Sequence, residues 1–165
     1  MYLRHLAASL LLLTLVACSD RAPPVVSTAT SNASASTDAA RSDAVTRIGD
    51  VSIRASVIQT SMLNDAVARQ YDIARDPNTV LLLVAVRQGP DASASALPAT
   101  ITATATDLRG GRQDIAMHEL KSGDLIDYVG TVPTTLPDTL RFDLTVVRAG
   151  GAVSTMQFQR EFYPQ

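Results

Sequence analysis

The run Thr79–Arg87 (TVLLLVAVR) is apolar at every position between its ends. It is too short for a buried helix, and a strand with no polar alternation must be covered on both faces. The chain is therefore committed to a sheet with material above and below it at this point. Around this run the apolar period is two. Val51, Ile53, Ala55 and Val57 alternate with Ser52, Arg54 and Ser56, the pattern of a half-buried strand.

Further strands follow at regular turn signals. Ala99–Leu108 (ATITATATDL) alternates Thr with small apolar residues, Gly110-Gly111 reads as a two-residue hairpin turn, and Arg112–Leu120 returns. Asp124–Val132 follows Ser122-Gly123, and Thr139–Arg148 pairs with Ala152–Phe162 across Ala149-Gly150-Gly151. One segment departs from this period. Asn64 is a good N-cap, and Leu63, Val67 and Tyr71 recur four apart, which predicts a short helix that stops by Asp76, ahead of Pro77. The helix is expected across the open edge or end of the sheets. The fold class is all-β: an immunoglobulin-like antiparallel β-sandwich of about seven strands with one short helix.

Composition narrows the chemistry. Aromatics make up 4% of the chain and tryptophan is absent, so the core must be built mainly from Val, Leu, Ile and Ala, and stacking platforms for bases are scarce. A net charge of -2 with dispersed signs leaves no basic stripe for phosphates, which excludes nucleic acid as a partner.

The N-terminus carries an address. Arg4 and His5 precede the apolar run Leu6–Val16, which is shorter than the roughly 20 residues that span a bilayer and reads as a secretory leader. Leu15-Val16-Ala17-Cys18 resembles the lipobox of bacterial lipoproteins, in which cleavage precedes the cysteine and its sulfur is acylated. The expected organisation is a signal peptide over 1–17, lipidated Cys18 with a disordered Ser/Thr/Ala-rich tether over 18–43, and a sandwich domain over 44–165. As a flexible coil the tether would reach roughly 25 to 30 Å. The lipobox resemblance, with Ser19 rather than Asp after Cys18, implies an outer-membrane lipoprotein facing the periplasm, held by acyl chains.

Candidate chemistry is sparse. Once the leader is removed with His5, His118 is the one histidine, and nucleophilic catalysis needs a base, a nucleophile and an orienting group together. Met117-His118-Glu119 with Met62 and Met156 superficially suggests copper ligands, but neighbouring strand residues point to opposite faces. Asp124 with Asp127 and Asp72 with Asp76 read as solvated turn and cap carboxylates. No catalytic, cofactor-binding or metal residues are expected. The alternative is a metal-handling or weak hydrolytic role centred on His118.

Ile48-Gly49-Asp50, the segment LNDAVARQYDI from Leu63, the LLLVAV strand and the ending Phe158–Tyr163 resemble, in order and spacing, a proteobacterial family of small exported proteins known as domain of unknown function 4426. The resemblance covers about Val45–Gln165. Members often carry His-Tyr-Asn shortly after the Gly-Asp, where this chain has Arg54-Ala55-Ser56. It implies the fold and supplies no activity. The expected role is non-enzymatic binding of an envelope protein or cell-wall material, with Arg69, Gln70 and Tyr71 on the helix and Arg160 and Tyr163 at the C-terminus as the candidate partner surface.

Overall fold

The structure, a computed structural model, describes residues 43–165. Cys18, the expected leader and all of the expected tether except Asp43 lie outside the described residues. Among the described residues ten strands form two antiparallel sheets. In the first sheet β1 (Ala44–Ile48), β2 (Val51–Gln59), β3 (Thr79–Gln88), β8 (Leu125–Pro133) and β7 (His118–Ser122) lie in that order, with the short β4 (Ser95–Ala96) also beside β3. The second sheet runs β10 (Val153–Phe162), β9 (Asp138–Arg148), β5 (Ala99–Thr106) and β6 (Arg112–Ile115). Without β1, β4 and β6, the order 2-3-8-7 facing 5-9-10 is the ABED and CFG arrangement of an immunoglobulin constant-type sandwich.

The inward residues of both sheets form one core. Val51, Ile53, Ala55, Val80, Leu82, Val84 and Val86 of the first sheet meet Ile101, Ala103, Ala105, Leu140, Phe142, Leu144 and Val146 of the second. The period-two reading of β2 is borne out, since Val51, Ile53 and Ala55 are all buried. So is the double cover of β3, where Leu81 on the outer face is as buried as its inward neighbours.

What covers that outer face is the helix α1 (Asp65–Gln70). Leu63 and Ala68 pack with Leu81 and Val129, joined by Ile58, Val67, Tyr71, Ile73 and Leu120. This corrects the expectation that the helix lies at an edge or end of the sandwich. The apolar outer row of β3 and β8 needs a lid, and the one-turn spacing of Leu63, Val67 and Tyr71 supplies one.

Asn64 caps α1 by accepting from the Val67 amide at 2.8 Å, an interaction that stabilises such helices by about 1 kcal/mol. At the other end Asp72 adopts φ 51°, the Asp72 amide donates to Arg69 O at 3.3 Å and the Ile73 amide to Ala68 O at 2.9 Å. This is a Schellman stop with Asp in place of the usual Gly. It ends the helix before the proline becomes relevant.

Two local expectations need correction. Arg112–Leu120 is not one strand: β6 belongs to the second sheet and β7 to the first, with Ala116-Met117 crossing between them. The Gly110-Gly111 turn is not a two-residue hairpin either, because Thr106 pairs with Arg112 and five residues, 107–111, close the loop. Asp107 organises it, its carboxylate accepting from the amides of Arg109 at 2.8 Å and Gly111 at 2.7 Å.

Candidate functional site

The residues singled out on the sequence do not converge. Arg69 and Gln70 are exposed on α1, and a cavity of about 500 Å³ lined by Asp65, Arg69, Asp72, Ile73 and Arg75 flanks them. Tyr71 is half-buried as the C-cap and packs into the cluster under the helix, so its ring anchors α1 to the sheet. Arg160 belongs to the other sheet, with its guanidinium 5.3 Å from the centroid of the Phe158 ring. Tyr163 is exposed, and its hydroxyl donates to Glu161 Oε2 at 2.7 Å; that hydrogen bond and the carboxylate charge raise the phenol above its ordinary range.

Near Arg160 the chain enters the domain at Asp43. Burial pushes the Asp43 carboxyl up, but hydrogen bonds from Ser56 Oγ and Arg54, with the charges of Arg54 and Arg160, outweigh it and hold the group below the usual range. A depressed folded value means that the contribution to stability is complete above the unfolded value, about 3.9, and is lost as pH falls through the folded one. Urea unfolding below about pH 4 is expected to lose stability more steeply in the native chain than in Asp43→Asn. Identical acid limbs in the two proteins would remove this assignment.

His118 stands exposed at the head of β7, opposite Val129. Met117 lies against Gly130, Met62 is exposed in the turn before α1, and Met156 is buried in β10 of the other sheet. Among the described residues no group of three or more His, Cys, Asp or Glu is placed to hold a metal ion.

The carboxylates divide. Asp76 is a turn residue, as expected, accepting from the Asn78 amide at 2.6 Å. Asp127 is not a solvated turn carboxylate: it is ion-paired to Arg87, both side chains about four-fifths buried, and Arg87 also donates to Ile126 O at 2.8 Å. The pairing of β3 with β8 places the two arms on one face, which the sequence spacing does not reveal.

The feature that sequence reading passed over is the outer face of the second sheet. Cross-strand register aligns Thr102, Thr145 and Thr155 in one row, and Asp114, Thr104, Asp143 and Gln157 in the next. A shallow cavity of about 400 Å³ opens over these rows, with Arg112 at its side. Asp143 is held by Arg141 Nε at 3.3 Å and by the Gln157 amide. The signal was present in ATITATAT, where every second residue is threonine. Only the register with β9 and β10 turns that stripe into a surface.

A family model described as "Domain of unknown function (DUF4426)" matches residues 45–165. No curated protein matches the chain. Among solved structures, a DUF4426 family protein of Pseudomonas aeruginosa PAO1 is similar at TM-score 0.64 and 23% identity, covering 74% of this chain and 96% of that one. FetP of uropathogenic Escherichia coli strain F11, expressed recombinantly in the E. coli periplasm, is similar at TM-score 0.50 and 9% identity over 74% of this chain and 94% of its own. A copper-bound variant of FetP gives TM-score 0.50 at 10% identity over 74% and 95% of the two chains. At these identities the likeness is one of fold.

Proposed function

This chain belongs to the DUF4426 family, and from that premise we propose that it is a lipid-anchored β-sandwich of the cell envelope that binds a partner and carries out no reaction of its own. The observation that carries the reading is the sequence Leu15-Val16-Ala17-Cys18 at the end of an apolar leader. Acylation there gives a membrane hold of roughly 0.8 kcal/mol per buried methylene, enough with two or more chains for stable anchoring. Ser19 after the lipidated residue favours the outer membrane, with the sandwich facing the periplasm. The periplasmic expression of the FetP neighbour supports the same compartment.

In this reading the sandwich offers partners, envelope protein or cell-wall material, two kinds of surface. One is the charged flank of α1 with Arg69 and Gln70, and the other is the C-terminal end with Arg160 and Tyr163. Cells fed a clickable fatty acid are expected to label the native protein and to leave Cys18→Ser unlabelled and released from the membrane fraction. A Cys18→Ser protein that stays in the membrane fraction to the native extent would refute anchoring through this residue.

A further inference from the structure

The outer face of the second sheet differs from its counterpart on the first sheet, which α1 covers. Thr102, Thr155 and Gln157 are exposed, and the rows they belong to hold hydroxyl, amide and carboxylate groups with no large apolar side chain between them. Rows succeed one another about every 6.8 Å along the strands and strands lie about 4.8 Å apart, so hydroxyls recur in two dimensions. Regularity alone specifies nothing. The second observation is Thr104, which is among the residues lining the cavity and is only 4% exposed, yet its hydroxyl has no hydrogen-bond partner among the described residues. Thr106, next on the same face, also has a buried hydroxyl without a partner.

A buried hydroxyl without a partner is an unmade hydrogen bond, and a ligand that supplies one recovers it. Hydroxyls can both donate and accept, which suits a ligand made of hydroxyls. Charge on this face is balanced, with Arg112 and Arg141 set against Asp114 and Asp143, and Asp143 is already engaged. That balance gives no field to attract an acidic polymer. The absence of aromatic residues from the aligned rows leaves recognition to hydrogen bonds in place of ring stacking. The volume, about 400 Å³, falls within the range of small-ligand sites.

We propose that the face formed by Thr102, Thr104, Thr145, Thr155 and Gln157 is a binding site for a neutral glycan segment, whose hydroxyls pair with the threonine rows and reach Thr104. The site names a ligand class for the binding role proposed above. It fails separately from the anchoring, which is read by membrane fractionation.

The test is calorimetric titration of the purified full-length protein with chitotetraose and cellotetraose, with tetragalacturonate as the charged comparison. Binding of at least one neutral tetrasaccharide is expected, weakened about five-fold or more by Thr104→Val, the size of one neutral hydrogen bond. Thr104→Val removes only the unpartnered hydroxyl and keeps the side-chain shape, so its melting temperature is expected to equal or exceed the native one. Thr145→Val, on the neighbouring row, is expected to weaken binding as well, and Arg69→Ala is expected to leave it unchanged. No heat with either neutral sugar up to about 10 mM, binding of tetragalacturonate alone, or full affinity in the Thr104→Val/Thr145→Val double variant would each overturn the proposal.

Discussion

Phe142→Ala is expected to lower the unfolding free energy by about 3–5 kcal/mol. That is a large part of the roughly 5–15 kcal/mol that holds a domain together. Phe142 is completely buried and is the largest side chain of the core to be so. Its ring stacks on Phe158 with centroids 5.2 Å apart and planes at 19°, and across β5 its register partner is Ala105. With a small residue, Ala105, beside Phe142 on β5, the stacked aromatic pair supplies the bulk at this point of the core, so truncation opens a cavity whose walls are backbone-held strands with little freedom to collapse. Guanidinium unfolding of Phe142→Ala beside Phe142→Leu measures this, the leucine variant losing about half as much or less. A loss below about 1.5 kcal/mol for the alanine variant would show that the core relaxes around the site.

The second large effect is expected from adding a single carbon. A Cβ at Gly130 would stand 2.7 Å from Ile115 Cγ2, 2.8 Å from the Ala116 carbonyl oxygen and 2.8 Å from Met117 Sδ. These atoms belong to the crossover that carries the chain from β6 in one sheet to β7 in the other, and it passes directly over β8 at this glycine. The methionine sulfur can swing away, whereas the carbonyl cannot without moving the crossover. Gly130→Ala is therefore expected at or above the upper part of the 1–3 kcal/mol range for overpacking, seen as a melting temperature lower by about 5–15 °C. Met117→Ala in the same chain should restore only part of the loss, since the clash with Ala116 O persists. A melting temperature within about 2 °C of the native value would mean that the crossover is free to shift.

The crossover also shows where sequence reading stopped. Arg112–Leu120 carries an unbroken alternation, Ile115 and Met117 on one side and His118 and Leu120 on the other, and that alternation persists in the structure even though the segment changes sheets at its centre. A period of two records which side faces the core and is indifferent to which sheet supplies the hydrogen bonds. The candidate surface met the same limit. Arg69 and Gln70 on the helix were visible as exposed polar residues, but Tyr71 is drawn under α1 because Leu81, Leu83 and Val129 present an apolar outer row there. Asp127 reads as a loop carboxylate beside Asp124 until the β3–β8 register sets Arg87 against it.

The sequence by itself determined the all-β class, the doubly covered β3, the half-buried β2, the Asn64 cap and the membership of residues 45–165 in their family. Each rests on a pattern local to a few residues: a period, a cap, a run with no polar break. The tertiary structure alone decided the partners. It set the helix on the outer face of the first sheet and split 112–120 between two sheets at Ala116-Met117, where the crossover passes over Gly130. It also aligned Thr102, Thr145 and Thr155 from three separate strands into one row. The reason is that strand pairing is fixed by packing between segments far apart in the chain, where one atom of clearance at a glycine or one residue of register decides the neighbour.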